Sequence, residues 1–218
     1  VPIGGRQEFS TFVKDADLRS HLWNEQNGRC AYCECHIRHV EHPKGHNTKI
    51  EHFHPFETSS WESDCAGCSG ATSTVEGRIE IRNLLLVCEG NEKNTMPTTC
   101  DTLKDNTDIC TRFRNPKGRR GEMLVWVDKR GRAVAVPSLP DGAQEVVDSV
   151  LNLNADHLIE ARMTILTKFK ENYIALNRMR RGISNAEKER IKDQYRKLAD
   201  EQEYSATYLS IANRLRPY

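Results

Sequence analysis

Cysteines with metal-binding spacing are the clearest chemical signal in this sequence. Cys30 and Cys33 form a Cys-x-x-Cys pair, and Cys88 and Cys100 follow further along the chain. Two thiolates at that spacing bind one Zn²⁺ from a tight turn, whereas the redox form of the motif opens a helix after a strand. Because Cys30 follows the turn-forming dipeptide Asn27-Gly28, we interpret the pair as half of a structural zinc site.

A second Cys-x-x-Cys pair, Cys65 and Cys68, leaves its role open. The pair fits half of a second zinc site, and it also fits a replacement for Cys88 in the first site. The sequence offers these partners for a second site: Cys110 with either Cys35 or His36.

Between the cysteines lies a carboxylate followed directly by an imidazole, Glu51 and His52. Neighbouring side chains on a strand point to opposite faces, so one can hold a divalent metal while the other faces water or substrate, provided that the strand bends locally. Such a pair also fits a purely structural role beside a zinc site. The remaining histidines nearby are expected in exposed or loop positions: His36, His39, His42, His46 and His54.

Composition indicates a globular chain without a membrane-spanning segment. The 218 residues suffice to bury a core, 37% are hydrophobic, and no apolar run approaches the roughly 18 residues of a membrane-spanning helix. Residues 1–6 lack the charged and apolar regions of a secretion signal. Eight cysteines without such a signal favour metal binding over disulfides, so we expect a cytoplasmic protein.

The net charge of +1 is uninformative, but the basic residues are unevenly distributed. Residues 112–132 hold eight Lys or Arg and two acids, and residues 178–197 hold eight and three. Such stretches contact phosphates in some proteins and form solvated faces in others, so charge alone leaves nucleic-acid binding undecided.

Periodicity and turn signals predict the supporting elements. Helical spacing predicts a helix over 8–27, and two apolar runs around Asp128-Lys129-Arg130-Gly131 predict a β-hairpin. Asn154 is expected to cap a long helix to about Arg181. Ser184 and Glu187 predict a capping box for the next helix, and a last helix is expected over 205–215.

The order of these motifs resembles the HNH endonuclease family in its zinc-containing form. That family carries Cys-x-x-Cys, Asp-His-x-x-Pro, Asn-Leu, and then Cys with Cys-His-x-x-Lys. The corresponding segments here are Cys30-Ala31-Tyr32-Cys33, Glu51-His52-Phe53-His54-Pro55, Asn83-Leu84, Cys88 and Cys100-Asp101-Thr102-Leu103-Lys104. More narrowly, the chain looks like the HNH subunit of Septu-type and retron-associated antiphage defence systems, most strongly over 29–55 and 83–104.

The resemblance implies an α+β fold with a zinc-stabilised, treble-clef-like ββα-metal core over residues 28–110. An N-terminal helix within 1–27 would precede this core. A basic linker and β-hairpin over 111–140 and a helical region over 141–218 would follow it.

The resemblance also implies an activity, metal-dependent hydrolysis of nucleic-acid phosphodiester bonds, with DNA favoured and RNA or tRNA open. His52 would be the general base, Asn83 would orient the segment that carries it, and Glu51 with Asp101 would hold Mg²⁺ or Mn²⁺, with Asn106 in reserve. Structural zinc would be bound by Cys30, Cys33, Cys88 and Cys100, and nucleic acid by Lys104, Arg112, Arg114, Lys117, Arg119 and Arg120. An ATPase partner in a hetero-oligomeric complex is expected as well.

Three departures from the family pattern bear on these expectations. Glu51 replaces the usual Asp, Asp101 replaces the last His and so favours a hard cation, and eleven residues instead of two separate Cys88 from Cys100. The alternative function is a non-catalytic zinc module that binds nucleic acid or protein through the same cysteines and basic residues.

Overall fold

A computed structural model describes residues 16–55, 57, 80–93, 95–117 and 122–215 of the chain, and these residues form a mixed α+β structure. The first half contains α1 (Ala16–Glu25), β1 (Thr48–His52), a 3₁₀ turn (Ile81–Asn83), β2 (Leu84–Cys88) and α2 (Cys100–Lys104). The second half contains β3 (Val125–Val127), β4 (Ala133–Ala135), α3 (Ala143–Glu145) with a π-helical continuation (Val146–Val150), α4 (Asp156–Arg180), α5 (Asn185–Glu201) and α6 (Ser205–Arg214).

Strands β1 and β2 form an antiparallel pair that carries much of the core. Four consecutive apolar residues of β2, from Leu84 to Val87, are buried at 1% exposure or less. Such an unbroken apolar run is typical of a strand that is covered on both faces. The pairing sets Glu51 opposite Leu85 and His52 opposite Leu84, and α1 and α2 both pack against β2.

The predicted β-hairpin is confirmed, with three residues in each strand. Val125 pairs with Ala135 and Val127 with Ala133. The carboxylate of Asp128 accepts hydrogen bonds from the amides of Arg130 and Arg132, which closes the turn. Gly131 adopts φ 78°, a conformation that side chains disfavour, so the turn residues account for the hairpin.

The C-terminal helices follow the sequence pattern, with one correction. Ser184 and Glu187 form the predicted capping box at the start of α5, and α6 begins at Ser205. Asn154 does not cap α4: the cap residue is Ala155, without a side-chain bond, and the Asn154 amide bonds the backbone of Ala133 instead. The second hydrogen of the Asn154 amide is donated to Asp148 Oδ1 at 2.6 Å, which completes its hydrogen bonding.

Polar contacts join the segment around Cys30 to the helical region. The Arg29 guanidinium donates to the carbonyls of Ala199 (2.5 Å) and Gln202 (3.0 Å). The Glu34 carboxylate accepts from the amide of Ala206 at 2.8 Å. The C-terminal helices therefore brace the cysteine-bearing segment. Along the parts of the chain that the structure describes, no helix combines the length and apolar character that crossing a bilayer requires.

Candidate functional site

Four cysteines from three separate segments meet in one buried cluster. The sulfur atoms of Cys30 and Cys100 are 3.9 Å apart, and Cys88 lies 3.8 Å from both Cys33 and Cys100. All four sulfur atoms lie within 4.8 Å of one another, so the cluster could hold a metal ion. Interaction with Cys100 lowers the pKa of Cys88 to about 5, which favours a thiolate, the form that binds metals. The prediction that these four residues converge is confirmed.

The eleven-residue insertion between Cys88 and Cys100 forms a loop whose two ends lie together. The amide of Thr99 donates to the carbonyl of Gly90 at 3.0 Å, and the Thr102 hydroxyl donates to the carbonyl of Glu89 at 2.9 Å. A side chain at Gly90 would place its Cβ 2.2 Å from the Thr99 carbonyl oxygen, and φ there is 55°. Glycine at position 90 thus allows the close approach that brings Cys100 beside Cys88.

Cys35 and Cys110 lie in different parts of the structure. Cys35 lies at the four-cysteine cluster, with its sulfur 3.4 Å from that of Cys33. Cys110 lies instead near His54 and Asp108. Cys65 and Cys68 lie outside the described residues, so both alternatives for that pair stay predictions.

A polar cleft of about 270 Å³ opens beside the cysteine cluster. It collects four of the residues for which a catalytic or metal-binding role was predicted: Glu51, His52, Asp101 and Asn106. The first two lie at the end of β1, where the chain bends at residues 53–54, and the other two lie on and after α2. The remaining lining residues are Lys49, Pro55, Glu92, Thr102 and Asp105.

Glu51 is a buried carboxylate with three polar neighbours. Its Oε1 lies 2.6 Å from the Lys104 ammonium and accepts a hydrogen bond from the Tyr32 hydroxyl at 3.2 Å. Burial raises the pKa of Glu51 well above its ordinary value, Lys104 opposes this rise, and the hydrogen-bonded Asp101 carboxyl adds to it. Tyr32 and Lys104 were not predicted as its partners, although both stand inside the cysteine-bearing motifs.

Asn83 holds the bend that follows His52. It is fully buried, its Oδ1 accepts from the amide of His54 at 2.8 Å, and its Nδ2 donates to the carbonyl of the same residue at 3.1 Å. The backbone of Asn83 binds as well, since its carbonyl accepts from the amide of Phe53. One amide side chain thus satisfies both backbone groups of a buried residue next to the cleft.

Substitution Asn83→Ala is expected to lower the free energy of unfolding by on the order of 2 kcal/mol, because it leaves two buried backbone groups of His54 without the Asn83 amide. Urea unfolding of both proteins in zinc-containing buffer measures the difference. Asn106→Ala is the matched control: the residue lines the same cleft but is exposed, so the midpoint should stay at the wild-type value. Equal stability of the two variants would contradict a structural role for the Asn83 amide.

His54 was expected in an exposed or loop position, and it lies in the bend after β1 with its side chain buried. Its side chain and that of Asp108 are both at 0% exposure, and His54 Nδ1 lies 3.2 Å from Asp108 Oδ2. Burial lowers the pKa of His54, but its hydrogen bonds to Asp108 and Cys110 outweigh burial and raise it to about 10. Nothing in the sequence marks Asp108 as a partner, and the only signal for this group was the unassigned Cys110.

Two of the predicted nucleic-acid contacts, Lys104 and Lys117, are corrected by burial. Lys104 is fully buried against Glu51, so its ammonium cannot reach a phosphate. The Lys117 side chain is 7% exposed and pairs with Glu25 at 3.0 Å, so it too is a buried, ion-paired lysine. Arg112 lies 3.9 Å from Glu145, Arg114 donates to the carbonyl of Ser138, and the roles of both arginines stay predictions. The two remaining predictions, Arg119 and Arg120, fall outside the described residues.

Comparison with models of known protein families finds no match for this chain, and comparison with curated proteins finds none either.

Proposed function

We propose that the protein is a metal-dependent endonuclease of the HNH type that hydrolyses phosphodiester bonds in nucleic acid, with DNA favoured and RNA or tRNA open. The observation that carries this proposal is the cleft in which two segments about fifty residues apart place Glu51, His52 and Asp101 together. The four-cysteine cluster adjoins that cleft through Cys100, the residue before Asp101. Two antiparallel strands followed by a short helix carry these groups, an order compatible with a ββα-metal core.

Zinc is the ion that fits the cysteine cluster. Zn–S bonds are about 2.3 Å long in tetrahedral sites, so the sulfur atoms of a four-cysteine site lie about 3.8 Å apart. Three sulfur–sulfur distances in the cluster, each involving Cys88 or Cys100, are 3.8 to 3.9 Å. We assign the cluster a structural role, because Cys30, Cys33 and Cys100 are buried and all four ligands are protein thiols.

The carboxylates of the cleft fit a hard divalent cation. Glu51 and Asp101 lie within hydrogen-bonding reach of each other, an arrangement of like charges that a proton or a cation must neutralise. Mg²⁺ binds in proteins through one or two carboxylates and keeps several waters, which suits a cleft of this size. When bound, Mg²⁺ or Mn²⁺ would offset charge on the scissile phosphate and the leaving 3′ oxygen.

His52 is the residue to which we assign the general base. His52 lines the cleft, and the ordinary pKa of an imidazole lies near neutral pH, which suits a general base. Its backbone carbonyl accepts a hydrogen bond from Lys104 at 3.2 Å, and Asn83 fixes the bend two residues later. These contacts would hold the ring in place while it takes the proton of the attacking water.

The alternative function, a non-catalytic zinc module, draws support from one observation. Glu51 already has a cationic partner in Lys104 and a hydroxyl donor in Tyr32, as a purely structural carboxylate would. In that case the cleft would have no reactive role, and the cysteine cluster would serve as a scaffold for binding nucleic acid or protein.

Incubation of the full chain with supercoiled plasmid separates the two functions. We expect nicking in Mg²⁺ or Mn²⁺ and none in EDTA, with single-stranded DNA and structured RNA tested in parallel. Binding without cleavage in every metal, also with an ATPase of the Septu or retron type added, would support the module and contradict the nuclease.

The proposed ATPase partner rests on the family resemblance alone. The C-terminal helices are the surface we assign to it, since the distal part of α4 exposes Ile174 at 38% and Met179 at 82%. Full activity of an isolated monomer that shows no association with such an ATPase would contradict this assignment.

A further inference from the structure

A second group of potential metal ligands lies apart from the four-cysteine cluster. It consists of His54, two residues beyond the proposed base, and of Asp108 and Cys110 from the chain that follows α2. One ligand atom of each residue lies within 4.8 Å of the other two. No other such group besides the four-cysteine cluster occurs among the residues that the structure describes.

The geometry of this group is fixed by the backbone around it. Asp108 Oδ1 accepts a hydrogen bond from the amide of Cys110 at 3.1 Å, while Oδ2 lies 3.2 Å from His54 Nδ1. Asn83 holds both backbone groups of His54. Two residues that ligate one zinc ion through nitrogen and oxygen place those atoms about 3.4 Å apart, given bonds of about 2.1 Å in a tetrahedral site.

The donor set identifies the class of ion. Thiolate, imidazole and carboxylate together suit zinc, whereas Mg²⁺ and Ca²⁺ prefer oxygen alone. His54 and Asp108 are both at 0% exposure and only Cys110 is partly exposed, so two of the three ligands are closed to substrate, unlike the open cleft that holds His52. An ion at this position would therefore be structural.

We propose that His54, Asp108 and Cys110 bind a second structural zinc ion. The site joins the end of β1 to the segment after α2, and these segments supply Glu51 and His52, and Asp105 and Asn106, to the cleft. Cys100 precedes Asp101 and Asn106 in the chain, and Asp108 with Cys110 follows them. The two zinc ions thus bracket the cleft-lining segment at both ends, and the site does not depend on the proposed nuclease activity.

Elemental analysis of the full-length protein, purified in millimolar Mg²⁺ without added zinc, tests the site. We expect two zinc ions per wild-type chain and one per chain for Cys110→Ser. The matched control is Asp101→Asn, which removes a carboxylate from the cleft and should leave both ions in place. The proposal would be overturned by a count of one zinc ion per chain in the wild type or of two in Cys110→Ser. It would also be overturned if only Asp101→Asn lost zinc.

X-ray absorption at the zinc edge identifies the zinc ligands in the wild-type protein, so it tests the site even if Cys110→Ser fails to fold. A second site adds imidazole scattering and lowers the mean number of sulfur ligands per zinc below four. His54→Ala should remove the imidazole component, while His42→Ala, at an exposed histidine, should not. A spectrum of four sulfur ligands per zinc without imidazole would overturn the proposal on wild-type protein alone.

Discussion

Substitution His52→Ala is expected to slow metal-dependent cleavage of nucleic acid by about 10²–10⁴-fold, the usual contribution of a general base. His52 lines the cleft, and the hydrogen bond that Lys104 donates to this residue is made to its backbone carbonyl, which the substitution leaves in place. The rate of a single turnover with saturating enzyme measures the chemical step. The zinc content of the variant should remain that of the wild type, and because His52 is only 7% exposed its cleavage rate is measured at a temperature well below the unfolding midpoint of the variant.

The control for this experiment is His42→Ala, which removes an exposed imidazole outside the cleft. It should leave the cleavage rate unchanged. Partial rescue of His52→Ala by added imidazole would support proton transfer, since a loss of fold cannot be restored in that way. Wild-type cleavage rates in a folded His52→Ala protein would remove His52 from the reaction and leave the cleft without a base.

Much of the cysteine cluster was predictable because it depends on local chemistry. The Cys30 and Cys33 pair follows a turn, and residues 28 and 30 bond the segment that follows them. The meeting of Cys88 and Cys100 was harder to foresee, since eleven residues intervene. Gly90 was the available signal: a loop whose ends approach this closely needs a residue without a Cβ.

The buried charges could not be predicted, because their placement is a tertiary effect. Lysine is rarely buried without a partner, so a sequence gives no reason to place Lys104 inside until Glu51 is known to lie beside it. The same holds for His54 and Asp108, which stand more than fifty residues apart and meet only because the chain bends after β1. The nucleic-acid contact predicted for Lys117 failed for the same reason. The sequence predicts a surface cation, but the side chain is 7% exposed and pairs with Glu25.

Substitution Lys104→Met is expected to lower the free energy of unfolding by about 3–5 kcal/mol, because it leaves the Glu51 carboxylate buried without its cation. The Lys104 side chain has no exposed surface, and its ammonium lies 2.6 Å from Glu51 Oε1 and 3.2 Å from the carbonyl of His52. Urea unfolding at saturating zinc measures the loss. Lys93→Met is the control: that lysine pairs with Glu89 at the surface and should show no measurable change.

The double variant Lys104→Met/Glu51→Gln separates the two contacts of the ammonium. Neutralising Glu51 removes the unpaired charge, so the double variant should be more stable than Lys104→Met, with a coupling of about 0.5–3 kcal/mol between the sites. It should nevertheless be inactive, because Glu51 is the proposed metal ligand. If Glu51→Gln restores none of the lost stability, the cost of losing Lys104 arises at the His52 carbonyl. The lysine would then act by holding the end of β1 that carries the proposed base.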